Sequence, residues 1–329
     1  KALPKRKVDR YKIDTELSEE LSKAKVVKEE LESTVKAIFT GMTSGKQLDV
    51  SEIQKAVTPM IDSVIRNPDA MIWLARLKYR DNYTYHHSMG ASIWAVALGR
   101  QLGLPKSDLN DLATGTMLCD VGKIKLDQVI LNKPARLTED EFSTVKMHVG
   151  FSLAFLKRSN NISKNIRHIV ESHHERVSGK GYPNGLCGQE IPIFARIAAI
   201  ADCYDAMVSD RPYAKGISSS QAVKKLYEWR DIDFQTELVE EFIQAIGIYP
   251  AGSLIELSDN SVAIVIAAGR KQRLRPKIMM VLNTEKKPSR NMTIVDLQDV
   301  LTDAKSEPLN IAKSLPNDAY GIDPEEFYI

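Results

Sequence analysis

The chain is poor in cysteine, in net charge and in long apolar runs. Its 329 residues include only Cys119, Cys187 and Cys203. They lie far apart, which argues against a disulfide framework and suits a reducing compartment such as the cytoplasm. The 45 basic side chains nearly balance 43 acidic ones, leaving a net charge of +2. That balance removes the compositional case for a DNA-binding or membrane-surface protein. No apolar run reaches the roughly 20 residues of a membrane span. Residues Lys1 to Arg10 are too charged to read as a signal peptide. Beginning with Lys, the sequence reads as a fragment or a processed chain. Histidine is scarce too, at six residues, so their placement says more than any total.

What is present is mostly helical periodicity. Leu17, Leu21, Ala24, Leu31, Val35 and Ile38 recur at steps of three and four and predict a helix over 15–40. Asp49 with Glu52 has the pattern of a capping box, and Pro68 sits where a helix would start. Further helices are predicted from about Thr84 to Leu102, from Ser107 to about Leu118, and from Thr138, with Glu141 as capping partner, through His148. Others open at Ser163, at Ser218 with Gln221, and near Thr236. A Gly-rich loop at 178–188 precedes the helix carrying Ile197, Ile200 and Met207. After Pro250 the pattern turns to strand. Leu254–Leu257 and Val262–Ile266 flank a hairpin turn, Lys277–Leu282 reads as a third strand and Met292–Val295 as a fourth. The division expected is an N-terminal helical region (1–80), a second helical domain (81–249), a small β appendage (250–300) and an extended tail (301–329). The apolar stripes of the N-terminal helices suit either packing on the body or the seam of a homodimer.

Five of the six histidines fall in or at the ends of predicted helices near acidic residues: His86, His87, His148, His173 and His174, with Asp120, Asp202 and Asp205. Imidazole and carboxylate are ligands for Fe, Mn, Ni and Zn, and helical proteins build metal sites by projecting them inward from several helices. Two metals sharing a carboxylate can ionise a bridging water and stabilise both oxygens of a displaced phosphodiester. Any one of these residues alone reads better as a core, surface or turn residue; the constellation carries the metal reading. His86 and His87 point about 100° apart around a helix, so the two cannot readily face one metal. Asp205, one turn after Asp202, is placed to orient a ligand histidine.

The ordered segments Tyr83-Thr84-Tyr85-His86-His87-Ser88, Asp120-Val121-Gly122-Lys123, Ile130-Leu131-Asn132-Lys133-Pro134 and His173-His174-Glu175-Arg176 are followed by Gly179-Lys180-Gly181-Tyr182-Pro183-Asn184-Gly185 and Ser209-Asp210-Arg211-Pro212-Tyr213. This run resembles the HD-GYP domain, a bacterial branch of the HD metal-dependent phosphohydrolases, closely over about residues 81–247. The resemblance implies a mainly α, HD-type helical bundle holding two divalent metal ions, iron or manganese first and nickel or zinc next. It implies hydrolysis of cyclic di-GMP to pGpG or GMP. By position it implies His87, Asp120, His148, His173, His174 and Asp202 as metal ligands, with Asp120 bridging. Lys123 and Arg211 would hold the phosphate. Gly181, Tyr182 and Pro183 form the loop that the family sets beside the site and uses to dock diguanylate cyclases with GGDEF domains.

Four positions depart from that pattern. Cys119 stands where the family has the His of its His-Asp pair; as thiolate it is a conceivable metal ligand, and as thiol an inert core residue. Ser178 replaces an Asp before the Gly-rich loop. Ala214 replaces a basic residue, with Lys215 next to it as a substitute phosphate contact. Tyr83 stands where three-metal members carry Glu. Two rival readings accompany the phosphodiesterase: a catalytically degenerate nucleotide sensor or interaction module, and an HD-class hydrolase of another phosphoester.

Overall fold

Residue-level structure is given by a computed structural model, which describes residues 11–76, 83–159, 162–210, 214–269, 272–289, 292–299, 307–316, 319–322 and 327. The first periodic stripe folds as α1 (Leu17–Thr43) and buries Leu21, Ala24, Leu31, Val35 and Ile38. It packs on α2 (Val50–Arg66), α3 (Pro68–Ala75) and α4 (Tyr83–Gln101). The stripe is therefore covered by this chain's own helices. A carboxylate within it, Glu20, is fully buried and compensated by Arg66 Nε at 2.7 Å, Arg66 Nη2 at 2.8 Å and Ser63 Oγ at 2.6 Å, as a buried charge requires. The capping box read at Asp49 does not form: its carboxylate accepts from Ser51 N at 2.9 Å, capping the helix alone.

The body continues through α5 (Lys106–Leu118), a 3-10 turn (Val121–Lys125), α6 (Gln128–Leu131), α7 (Glu139–Lys146), α8 (His148–Leu156), α9 (Lys164–Ser172), α10 (Ile193–Val208), α11 (Ser219–Glu228) and α12 (Thr236–Ile246). Helix α4 is its axis, flanked by α5, α10 and α12. The single helix read from Thr138 through His148 is two helices. Thr138 and Glu141 make the capping box, but α7 ends at Lys146 and His148 opens α8. The reason is polarity: α7 buries nothing, whereas α8 buries His148, Val149, Ser152 and Leu156. A surface helix and a core helix need different axes, and the chain redirects at Met147. Among the described residues no helix is long and apolar enough to cross a membrane.

Strands β1 (Leu254–Leu257), β2 (Val262–Ala267), β3 (Lys277–Leu282), β4 (Ile294–Asp296) and β5 (Ile311–Ser314) form one antiparallel sheet in the order β4-β3-β2-β1-β5. Alternation assigns its faces. Leu254, Val262, Ile264, Met279 and Val281 join the helical core, while Ile255, Leu257, Ala263, Val265 and Ile278 form a smaller cluster with Leu297 and Leu309. The segment read as an extended tail supplies β5 and so completes the sheet.

Glu256 on β1 ties these pieces together. It is 7% exposed and accepts from Lys286 Nζ at 2.7 Å and Tyr320 Oη at 2.8 Å, with Lys313 Nζ at 3.0 Å. The hydrogen bond from Lys286 is the main reason its carboxyl is pulled down to about 2, against a smaller opposing effect of burial. A depressed carboxyl stabilises the fold fully above its unfolded value near 4.5 and loses that contribution as pH falls toward 2. Glu256→Gln is expected to cost about 2 kcal/mol at pH 7. Thermal melts at pH 7 and pH 3 should show the gap between variant and wild type closing at the lower pH.

Candidate metal centre

Five helices bring the predicted ligands to one place. His87 comes from the first turn of α4, Asp120 from the chain just past α5, and His148 from the start of α8. His173 and His174 follow the end of α9, and Asp202 lies on α10. Asp120 is 1% exposed and stands between two groups. Its Oδ1 faces His148 Nε2 at 3.2 Å and His173 Nε2 at 3.9 Å, with His174 completing that side. Its Oδ2 faces His87 Nε2 at 3.8 Å, and His87 Nε2 lies 2.9 Å from Asp202 Oδ1. Asp120-His148-His173-His174 and His87-Asp120-Asp202 thus form two ligand groups sharing one carboxylate.

The residues fit a metal pair. Nδ1 of His148 lies 2.6 Å from Val145 O and that of His173 lies 3.2 Å from Val170 O. A nitrogen facing a carbonyl oxygen must carry the proton, so both Nε2 atoms present lone pairs to the centre. Those Nε2 atoms and Asp120 Oδ1 are buried without a hydrogen-bond partner among the described residues. Three converging acceptors cannot satisfy one another, and leaving each unpaired costs roughly 1–3 kcal/mol. A divalent cation removes that cost. Burial, the largest effect, lowers His148 to about 4 and lowers His173 and His174 as well, so all three are neutral at pH 7, as ligation requires.

The other group is strongly charged. Burial alone would raise the Asp120 and Asp202 carboxyls. The Lys123 ammonium and His148 hold Asp120 well below the usual range, and the hydrogen bond from His87 does the same for Asp202. Burial pushes His87 down, but Asp202 and Asp205 outweigh it and raise His87 to about 9, so an ion held here would have to displace its Nε2 proton. Asp205 orients His87: its Oδ2 sits 2.7 Å from His87 Nδ1, and its Oδ1 accepts from Trp94 Nε1 at 2.9 Å. This arrangement requires Gly90, where a Cβ would lie 2.2 Å from Asp205 Oδ1. Gly122 is as tightly placed, because a Cβ there would lie 2.0 Å from His148 O.

Cys119 belongs to neither ligand group. Its buried Sγ donates to Thr116 O at 3.1 Å, and burial with the nearby Asp120 charge pushes the thiol well up, so it stays protonated. Only a thiolate ligates well. Cys119→Ala is therefore expected to retain the wild-type metal-to-protein ratio by elemental analysis, with a modest drop in melting temperature from the lost volume.

Lys123, 19% exposed, places Nζ 2.5 Å from Asp120 Oδ2. Lys215 is exposed and pairs with Asp210 at 3.4 Å. Arg211 and the side chain of Tyr83 lie outside the described residues. Gly181 lets the loop close on the site, since a Cβ there would lie 2.4 Å from Arg176 N. Tyr182 donates its N–H to His174 O at 3.2 Å and lays its ring 4.6 Å from the His174 ring. Pro183 is exposed. His86 turns away to Glu32 at 3.7 Å, and half-buried His168 takes no part in either group.

Three positioning residues escaped the sequence reading. Glu175, buried, accepts from Asn184 N at 2.7 Å and Leu186 N at 3.0 Å and pins the loop. Its signal was a carboxylate between a His pair and a Gly-rich run. Ser152 Oγ accepts from Gly122 N at 2.8 Å and donates to Cys119 O at 2.9 Å, bracing the segment that carries Asp120. Trp94, the support of Asp205, resembles any core aromatic in sequence.

A family model described as HD domain matches residues 67–235, just over half the chain. The chain belongs to the HD domain family. It is 33% identical over 281 residues to a cyclic di-GMP phosphodiesterase of Pseudomonas aeruginosa, covering 85% of this chain and 68% of that one. It is 34% identical over 203 residues to the cyclic di-GMP phosphodiesterase response regulator RpfG of Xanthomonas campestris, covering 61% of this chain and 54% of that one. The chain thus spans about two thirds of the first relative's length and about half of the second's. Among solved structures, an HDG"Y"P protein of Bdellovibrio bacteriovorus superposes with a TM-score of 0.57 at 16% identity, covering 68% of this chain and 71% of that one. That likeness is one of fold.

Proposed function

We propose that this chain is a metal-dependent phosphodiesterase that hydrolyses cyclic di-GMP to pGpG or GMP. The observation that carries the reading is the single buried carboxylate, Asp120, shared by two ligand groups, in one of which its Oδ1 and the Nε2 atoms of His148 and His173 converge without hydrogen bonds. The names of the related proteins support the substrate. His148, His173 and His174 would hold one ion and His87 with Asp202 the other, across Asp120. Bound there, two divalent ions supply Lewis acidity toward a phosphodiester and lower the pKa of water.

The protein's own part is positional. Asp205, Val145 and Val170 fix the three imidazole rings, and Gly122 and Ser152 fix Asp120. Lys123 keeps its proton: burial lowers its pKa, but Asp120 more than restores it, so a cation faces the place where phosphate charge develops. From the sequence resemblance Arg211 would contact the same phosphate, with Lys215 as a further basic candidate. The resemblance favours iron or manganese, while the imidazole and carboxylate donor set also accepts nickel or zinc. The exposed end of the Gly181-Tyr182-Pro183 loop is the surface offered to a diguanylate cyclase. The cytoplasm is the assigned location.

Metal content and turnover measured on one anaerobically purified sample test the reading. Two metals per chain and cleavage of cyclic di-GMP in preference to cyclic GMP-AMP and simple phosphodiesters are expected. One metal or none, with no turnover, would assign the chain instead to the degenerate sensors. Preference for another phosphoester would replace the substrate.

A further inference from the structure

A cyclic dinucleotide carries two phosphodiesters and two purine bases, and the metal centre with Lys123 engages one phosphodiester. The structure offers an aromatic and cationic surface beside the centre for the rest. Tyr182, stacked on His174, lies 6.4 Å from the His148 ring on one side and 6.1 Å from Phe142 on another, edge to face at 87°. Phe142 on α7 is 43% exposed, a large aromatic surface left to water next to a buried site. Lys146, one helical turn on, holds Nζ 4.6 Å from the Phe142 centroid and 5.4 Å from the Tyr182 centroid. Among the described residues no carboxylate pairs with it.

We propose that Lys146, Phe142 and Tyr182 form a second subsite: Lys146 pairs with the phosphodiester not being cut, and the ring of Phe142 stacks a purine base. The inference rests on the phosphodiesterase reading above. Two features select a nucleotide over a protein partner for this surface. Its centre is an ammonium without an anionic partner, which an apolar contact would bury at a cost. It is also continuous with the metal ligands through the Tyr182–His174 contact, so a molecule held at the metals extends onto it. Aromatic faces stack any purine, and the free cation supplies the charge that a second phosphate needs.

The test is steady-state hydrolysis of cyclic di-GMP by the wild type and by Lys146→Gln, Lys146→Arg, Phe142→Ala and Phe142→Tyr, with metal content and melting temperature recorded for each. Lys146→Gln and Phe142→Ala are expected to raise KM about tenfold each with kcat changed far less, because each removes a contact distant from the reacting atoms. Lys146→Arg and Phe142→Tyr should restore KM, and the Lys146→Gln effect should shrink at high salt. Wild-type KM values in folded, metal-loaded Lys146→Gln and Phe142→Ala would overturn the subsite and leave the patch as a protein-docking surface. A wild type that holds its metals yet does not cleave cyclic di-GMP overturns the functional reading itself, a distinct result.

Discussion

Asp120→Asn is expected to empty both metal positions together and to lower phosphodiester hydrolysis by more than about a thousandfold. The substitution keeps shape and removes charge, so packing around the site changes little. What it removes is the anion on which both groups depend. Oδ1 faces His148 and His173 while Oδ2 faces His87. Asn offers one oxygen where the site uses two, and it carries no charge to offset two dications. The first group then keeps three neutral imidazoles with no anion at all. Elemental analysis after gel filtration, with turnover on the same fractions and circular dichroism to show the fold, checks this. Two retained metals in the variant would refute the bridging role of Asp120.

Lys123→Met is expected to behave differently: metals stay, and kcat falls about 100- to 1,000-fold. Nζ lies 2.5 Å from Asp120 Oδ2, so the ammonium is immobilised before any substrate arrives. A fixed cation beside developing phosphate charge costs no reorganisation in the reaction, and a flexible surface lysine could not match that. Met preserves the aliphatic stem and its packing while deleting the charge. The split is diagnostic: near-normal metal content with low kcat assigns Lys123 to the phosphate. Loss of metal together with activity would make it only a support for Asp120.

The reading of sequence reached furthest where a residue's role follows from its own periodicity or chemistry. The apolar stripe of α1, the capping boxes at Thr138 and Ser218 and the β-rich runs of β1 to β3 are local patterns, and the His/Asp constellation was legible from its residue types. The orienting role of Asp205 was legible too, because one helical turn separates it from Asp202. The break at Met147 was not, because it follows from which helix α8 packs against. Strand β5 was equally hidden: Ile311-Ala312-Lys313-Ser314 has little strand character of its own and is a strand because β1 offers it an edge. Glu175 and Ser152 act on backbone N–H groups brought near by folding, and sequence separation conceals such partners. Cys119 was the largest open question in the sequence, and the direction of its Sγ, toward a carbonyl three residues back, is not something a sequence pattern gives.

The placement of β5 has a consequence for solubility. Strand β1 is buried on both faces, and Leu254, Ile255 and Leu257 make it an adhesive segment. With β5 in place, its outer row of amide and carbonyl groups is already paired, and the new rim shows Lys313 instead. Loss of the final segment would uncover a hydrophobic template for strand addition by any other copy in reach, the usual first step of aggregation. By pairing the β1 edge, β5 guards the sheet against strand addition by another copy.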